Sequence, residues 1–420
     1  MRPGATRGRT ELLSHRSHSF VPIDVHAEWP LLRLDLMTNL GGPFPQQPYS
    51  VRPTGNSRAI KWVLAVIFIF LALLAGSFTL YTIGYETGTT ALMMGILFAT
   101  LPLPIYVLLI LWIDRYESEP LWMLAMAFFW GATFAAFMAI VINSLIASAV
   151  SEAYNPYIGM YYALVVSAPI VEEFSKGLVL FILFWWKKDE FDGVIDGIVY
   201  AGMVGLGFAM TENFKYYGEA ALMGGNRLTG LFILRGAISP FAHPLFTSMT
   251  GIGLGLAAQT QNRAIKIFMP ILGLLSAMFL HFTWNRSAVS GPGVFFVVYG
   301  IIMLPIFAGA IVSIVFALRR EGRIVREHLW YDCQRGLFSL DEYYRLCMIR
   351  GRMSASFRAL KWGGVRLWRT RMKYNQLASE LAFHRSRVRR GMVSDPHAAY
   401  QREMAYVNHL FELRKQLGPF

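Results

Sequence analysis

Residues 157–186 read YIGMYYALVVSAPIVEEFSKGLVLFILFWW. The run is long enough to cross a hydrocarbon core of about 30 Å as a helix. It nevertheless carries Glu172, Glu173 and Lys176 near its middle. A charge at that depth costs roughly 2.5–3.5 kcal/mol on insertion scales, so three of them in one apolar run point to a buried polar site. Other polar residues interrupt the apolar runs that follow: Glu212-Asn213, then His243, then His281-Phe282-Thr283-Trp284-Asn285. These are residue types that activate water or hold a metal.

The composition points to a membrane protein. Hydrophobic residues make up 55% of the 420 positions and charged residues 15%, against about 25% charged in a soluble domain, and the mean hydropathy is +0.42. The apolar core divides into eight spans, at 61–84, 91–113, 121–150, 157–186, 193–217, 228–258, 266–286 and 292–318. Short loops join them, which predicts one antiparallel bundle. The expected fold is therefore all-α, a polytopic membrane bundle of about eight transmembrane helices with a cytoplasmic helical tail.

Three regions follow from this. Residues 1–60 are polar, and Gly41 to Arg58 is rich in Pro, Gly, Gln and Ser, so this lead reads as largely disordered and cytoplasmic. No apolar run follows Met1 closely, so no signal peptide is expected. Residues 61–318 form the membrane unit. Residues 319–420 form a basic tail with 21 Lys and Arg against 9 Asp and Glu. Ser339-Leu340-Asp341-Glu342 has the spacing of a capping box after Gly336, and two to four amphipathic helices are expected there. Trp330, Trp362 and Trp368 among Arg and Lys suggest anionic lipid headgroups as a partner, the alternative being a solvated tail that follows the positive-inside rule. Nucleic acid is not expected, because a positive tail beside a membrane already has an explanation.

Lys and Arg also set the orientation. Arg52, Arg58 and Lys61, Arg115, Lys187 and Lys188, Arg263 and Lys266, and Arg319, Arg320, Arg323 and Arg326 flank one side, while loops 85–90 and 151–156 carry none. Both termini are expected in the cytoplasm. Cys333 and Cys347 both lie in the tail, without zinc-type spacing or a disulfide framework.

On a helix, Glu172 and Lys176 are four apart and Glu173 and Lys176 three apart, so the lysine can offset the paired acid charge. One of two buried neighbouring carboxyls becomes a usable acid or base; the competing reading is a structural ion pair or an ion pathway. Glu212 sits toward the outer end of its span, where pairing with Lys215 or Arg235 is the plainer reading. His243 lies between Pro240 and Pro244, which should break or kink the helix there. His281 and Asn285 are four apart and share a face, either as ligands or as interhelical hydrogen-bonding groups. Together these residues suit water attack on an amide, with a Glu taking the proton and a metal or an imidazole holding the oxyanion.

The order Glu-Glu-x-x-Lys at 172–176, Phe-x-x-x-Glu-Asn at 208–213, His243, and His-x-x-Trp-Asn at 281–285 resembles the PrsW family of intramembrane proteases. Asp114-Arg115-Tyr116-Glu117-Ser118-Glu119-Pro120 looks like that family too, and the resemblance covers roughly residues 91–318. The family is similar to the prenyl-protein (CAAX) endopeptidases and the bacterial Abi relatives, which carry Glu-Glu-x-x-x-Arg, Phe-x-x-x-His and His-x-x-x-Asn. This chain departs from those relatives at Lys176, which comes at shorter spacing, and at Glu212, which stands where they have His. The resemblance implies an intramembrane endopeptidase of the bacterial plasma membrane, acting on a membrane-spanning protein such as an anti-sigma-factor-like regulator. It implies Glu172 and Glu173 as the source of the general base, with Glu173 the favourite, and Lys176 tuning their charge. Glu212, His243 and His281 would bind a metal, Zn2+ being the candidate, or the oxyanion, and Asn285 would orient the water or the carbonyl. Cleavage is expected in the outer half of the bilayer or just beyond it. The rival readings are a proton- or ion-coupled transporter, since buried Glu and His chains also serve there, and a catalytically inactive scaffold.

Overall fold

The computed structural model describes residues 55–418 apart from positions 117, 188, 189 and 394. The N-terminal lead expected to be disordered lies, as far as residue 54, outside the described residues. The architecture is built around one helix, α6, Val194–Leu222. Its most apolar window is 89% buried, whereas the corresponding windows of the first, second and last spans are under 20% buried. Around it stand α1 (Gly55–Thr87), α2 (Thr89–Thr100), α3 (Leu103–Ile113), α4 (Leu121–Ala153), α5 (156–186), α7 (225–238), α8 (Ala242–Ala258), α9 (Arg263–Val289) and α10 (Pro292–Gln334). No strand occurs among the described residues.

Among the described residues, six segments are long and apolar enough to cross a membrane: Trp62–Thr87, Thr89–Ile113, Leu121–Ala153, Val194–Leu222, Arg263–Val289 and Pro292–Gln334. The expectation of eight exceeds this by the runs at 157–186 and 228–258. Both runs are helical. The first carries the charged residues Glu172, Glu173 and Lys176, and the second is interrupted at 239–241, between α7 and α8. The break follows from Pro240, and Pro244 then sits in the first turn of α8, where a missing N–H is harmless.

Small residues let the helices meet backbone to backbone. A Cβ on Gly251 of α8 would lie 2.0 Å from the Gly197 carbonyl of α6, and one on Gly205 of α6 would lie 2.6 Å from the Pro244 nitrogen. Gly131 of α4 and Gly207 of α6 make the same kind of approach on the opposite side of α6. Short π-helical stretches interrupt α4 at Trp130–Ala135, α5 at Ala163–Ser167, α7 at Ile233–Ile238 and α10 at Tyr299–Met303. Such bulges re-aim side chains and free a carbonyl from the ladder.

The tail is helical and continues from α10 through α11 (Leu340–Cys347), α12 (349–363), α13 (365–389) and α14 (Pro396–Leu417). Ser339 and Glu342 form the capping box that starts α11. The tail packs on the loops at its own end of the bundle. Tyr116 Oη donates to the Cys347 carbonyl at 3.2 Å, Gln261 Nε2 donates to the Arg390 carbonyl at 3.0 Å, and Arg387 pairs with Asp192. Tyr116 and Phe191 share one apolar cluster with Leu329, Leu346 and Tyr374. The loops 114–120, 187–193 and 259–262 therefore lie at the same end as the tail.

The close approach of α6 and α8 gives a direct prediction. Gly205→Val is expected to lower the thermal unfolding midpoint in micelles, at a cost of about 1–3 kcal/mol. Gly309→Ala in α10, where a Cβ meets nothing within 4 Å, is expected to leave it unchanged. Equal midpoints for the two variants would contradict this packing.

Candidate active site

Glu172, Glu173 and Lys176 occupy one face of α5, as their spacing predicts. All three are buried, and the Lys176 ammonium has no exposure. Lys176 Nζ donates to Glu173 Oε1 at 2.8 Å and lies 3.5 Å from Glu172 Oε2. It also lies 3.0 Å from His243 Nδ1 and 3.7 Å from the centre of the Phe208 ring. A dry ammonium is thus balanced by carboxylates on its own helix, a ring of α6 and an imidazole of α8.

Glu173 is fully committed. Besides Lys176, it accepts from Thr247 Oγ1 at 3.0 Å, and its Oε1 lies 2.9 Å from His281 Nδ1. This fixes the His281 ring and leaves Nε2 facing Glu172, whose Oε2 is 3.8 Å away. Phe246 stacks on the same ring at 5.2 Å. Glu172 is the least engaged carboxylate of the three acids, reaching Lys176 and His281 only at long distance.

Glu212 on α6 enters from the other side. Its Oε2 meets His243 Nε2 at 2.9 Å and also pairs with Arg235 on α7, while Arg235 Nε donates to Asn213 Oδ1. Of the two cations weighed for Glu212, Arg235 is the partner; Lys215 pairs with Glu86 and Glu219. The π-helical turn at Ile233–Ile238 carries Arg235 into this position.

Six of the seven expected residues are therefore brought together: Glu172, Glu173, Lys176, Glu212, His243 and His281. Asn285 stands apart. Its Nδ2 donates to the Leu164 carbonyl at 2.8 Å, in the π-helical stretch of α5, so its amide joins α9 to α5. Sequence reading had no sign of Thr247, although it lies one turn beyond His243, nor of Phe246; Phe208 entered only as the first residue of the Phe-x-x-x-Glu-Asn pattern.

Glu172, His243 and His281 can hold a metal ion, since ligand atoms from the three lie within 4.8 Å of one another. One carboxylate and two imidazoles is the donor set of a common class of catalytic zinc site. This grouping uses Glu172 where the sequence pattern suggested Glu212. Beside the cluster is a cavity of about 240 Å³, whose wall includes Phe241, Leu245, Phe246, Trp284, Tyr299 and Phe307. Phe246 belongs to both the cavity wall and the His281 stack.

Residues 119–310 match the family described as PrsW family intramembrane metalloprotease. Over this segment, a little under half of its length, the chain is similar to the PrsW family. The matched segment contains every residue of the cluster and begins inside the 114–120 loop. Three bacterial relatives, each named Protease PrsW, agree with this. The one from Oceanobacillus iheyensis is 29% identical over 193 residues, 46% of this chain and 82% of its own length. The one from Clostridioides difficile is 35% identical over 163 residues, 38% of this chain and 65% of its own length. The Geobacillus kaustophilus relative is 33% identical over 149 residues, so the chain spans 58% of that protein. No solved structure matches. The α11–α14 tail lies outside the family segment.

The buried charges can be tested as a network. Lys176→Met strands two dry carboxylates and is expected to destabilise the protein by about 3–5 kcal/mol. Adding Glu173→Gln should restore most of that loss. Denaturant unfolding in micelles measures both, and strictly additive losses would show that the pair is uncoupled.

Proposed function

We propose that this protein is an intramembrane endopeptidase that hydrolyses a peptide bond in or beside a membrane-spanning segment of a protein substrate. The observation that carries the reading is Glu172. It is a buried, weakly engaged carboxylate that faces Nε2 of an oriented histidine at 3.8 Å, beside a cavity able to take an apolar side chain. The similarity of residues 119–310 to the PrsW family supports the same reading.

In this mechanism Glu172 takes the proton from water and delivers it to the leaving amine. Glu173 holds His281 in one tautomer, and Glu212 with Arg235 holds His243. Lys176 keeps the two neighbouring carboxylates compatible and supplies positive charge toward a developing oxyanion. Asn285 acts at a distance by fixing α9 to α5. With a metal the roles shift: Glu172, His243 and His281 would hold a divalent cation, zinc by their chemistry, provided that His243 releases one of its two present partners, and the base would then be the neighbouring Glu173. Bound there, the cation would polarise a carbonyl and acidify water.

A second reading without a metal is favoured by one contact. Lys176 Nζ lies 3.0 Å from His243 Nδ1, so a cation already stands beside one of the ligand atoms. The eight-span topology with both termini in the cytoplasm belongs to this proposal, as does residence in a bacterial plasma membrane. Glu212 and His281 lie nearer the end of the bundle away from the tail, so cleavage falls in the outer half of the bilayer. The substrate class implied by the resemblance is a membrane-spanning regulator of the anti-sigma type.

The test is a comparison of protein termini in native membranes. Cells with the intact protein are set against cells with Glu172→Gln or Glu173→Gln at equal abundance. New termini beside membrane segments are expected only with the intact protein. Cleavage should fall on the order of 100- to 10,000-fold in the Glu172 variant. An unchanged set of termini would sink the proposal, and new termini on the tail side would refute the outer-half assignment. Metal content of the purified protein separates the two mechanisms: zinc that is lost in His281→Ala supports the first, and active protein without metal supports the second.

A further inference from the structure

The tail contains a second cavity, lined by three arginines, that the proteolytic reading does not use. Helices α12 and α13 form a hairpin that turns at Gly364, whose φ of 67° is open to glycine and strained for other residues. Two bonds tie its arms: Arg352 Nη2 donates to Ser379 Oγ at 2.6 Å, and Asn375 Nδ2 donates to Ser356 Oγ at 3.2 Å. Near the turn, the hairpin encloses with α11 and α14 a cavity of about 330 Å³. Arg345, Arg358, Trp362 and Arg371 line it, over a floor that includes Ala355 and Ala359.

Arg371 is the informative residue. It is 2% exposed, and its Nε and Nη2 are buried without a hydrogen-bond partner. Leaving such donors unmade is costly. Its nearest acid is Glu342, with Oε1 3.9 Å from Nη1, and Glu342 is shared with Arg414 Nε at 3.4 Å. Among the described residues, Arg345 and Arg358 form no ion pair. Burial, opposed by Tyr374 and Glu342 and helped by Arg345 and Arg358, lowers the Arg371 guanidinium from its ordinary value. Three guanidiniums line this cavity, and no acidic side chain is among the residues that form its wall.

We propose that this cavity binds a phosphate group bearing two negative charges, held by the guanidiniums of Arg345, Arg358 and Arg371. Planar guanidiniums match phosphate oxygens with paired charge-assisted bonds, which an ammonium cannot do. The phosphate is either a lipid headgroup or a soluble ion. The hairpin tip favours the headgroup: Phe357, Trp362 and Val365 are all more than half exposed beside Lys361, Arg366 and Arg369, a pattern suited to a membrane surface.

The experiment uses the full chain in nanodiscs of phosphatidylcholine, followed by thermal unfolding at fixed ionic strength. Inorganic phosphate is titrated in one arm, and phosphatidic acid replaces part of the lipid in the other. A rise in midpoint is expected in at least one arm. Arg358→Gln should weaken it on the order of tenfold, the loss of about one charge-assisted bond, and Arg345→Gln with Arg358→Gln should abolish it. These two side chains are exposed or half-buried, so their loss leaves folding intact where Arg371→Gln could disturb it. A rise with phosphatidic acid alone identifies the headgroup, and a rise with phosphate identifies a soluble ion. No rise in either arm, or an undiminished rise in the double variant, would overturn the proposal.

Discussion

The constraint on which this bundle depends is a dry ammonium. Lys176 has no exposure, and an unpaired charge at that depth would cost several kcal/mol. Glu173, Glu172, His243 and the face of Phe208 together balance it. Those groups come from three helices, so the charge is stable only when α5, α6 and α8 are in register. The chemistry of the site and the specificity of the fold therefore rest on the same contacts.

Backbone proximity makes that register attainable. Gly197 against Gly251 and Gly205 against Pro244 bring α6 and α8 together, which puts His243 Nε2 within 2.9 Å of Glu212. The break at 239–241 frees backbone groups that a continuous helix would satisfy, and they are re-used. Tyr299 Oη donates to the Ile238 carbonyl at 2.7 Å, and Tyr106 donates to the Gly236 carbonyl. Irregular backbone is tolerated in a membrane where protein covers it or where it lines a cavity; here it does both, forming a wall of the apolar cavity beside His281.

Much of this was legible in the sequence because helical spacing is geometry. Glu172 with Lys176, and Glu173 with Lys176, are pairs that any helix places together. The proline-flanked His243 announced an interruption, although the break falls before the histidine and Pro244 sits in the first turn of the next helix. What spacing cannot reveal is which helices cross. That Glu173 rather than Glu172 holds His281, that Arg235 anchors Glu212, and that Thr247 reaches Glu173 all depend on crossings. Asn285 shares a face with His281 as expected, yet its partner is a carbonyl freed by a π-helical turn in α5 that no hydrophobic period marks. The count of eight spans rested on two runs whose charges and break are the features that build the site. The tail's arginines read as membrane-surface charge, while Arg352, Arg385 and Arg387 are spent on contacts within the protein.

The central claim is that the Glu172–His281–His243 cluster moves water onto a peptide bond. The most direct measurement uses purified protein in nanodiscs with membrane-spanning peptides, in water enriched in oxygen-18. The account predicts cleaved peptide with one heavy oxygen in each new carboxylate, and none with Glu172→Gln. Intact peptide, together with proton flux across liposomes that is lost in Glu172→Gln, would contradict it and make the cluster a proton path.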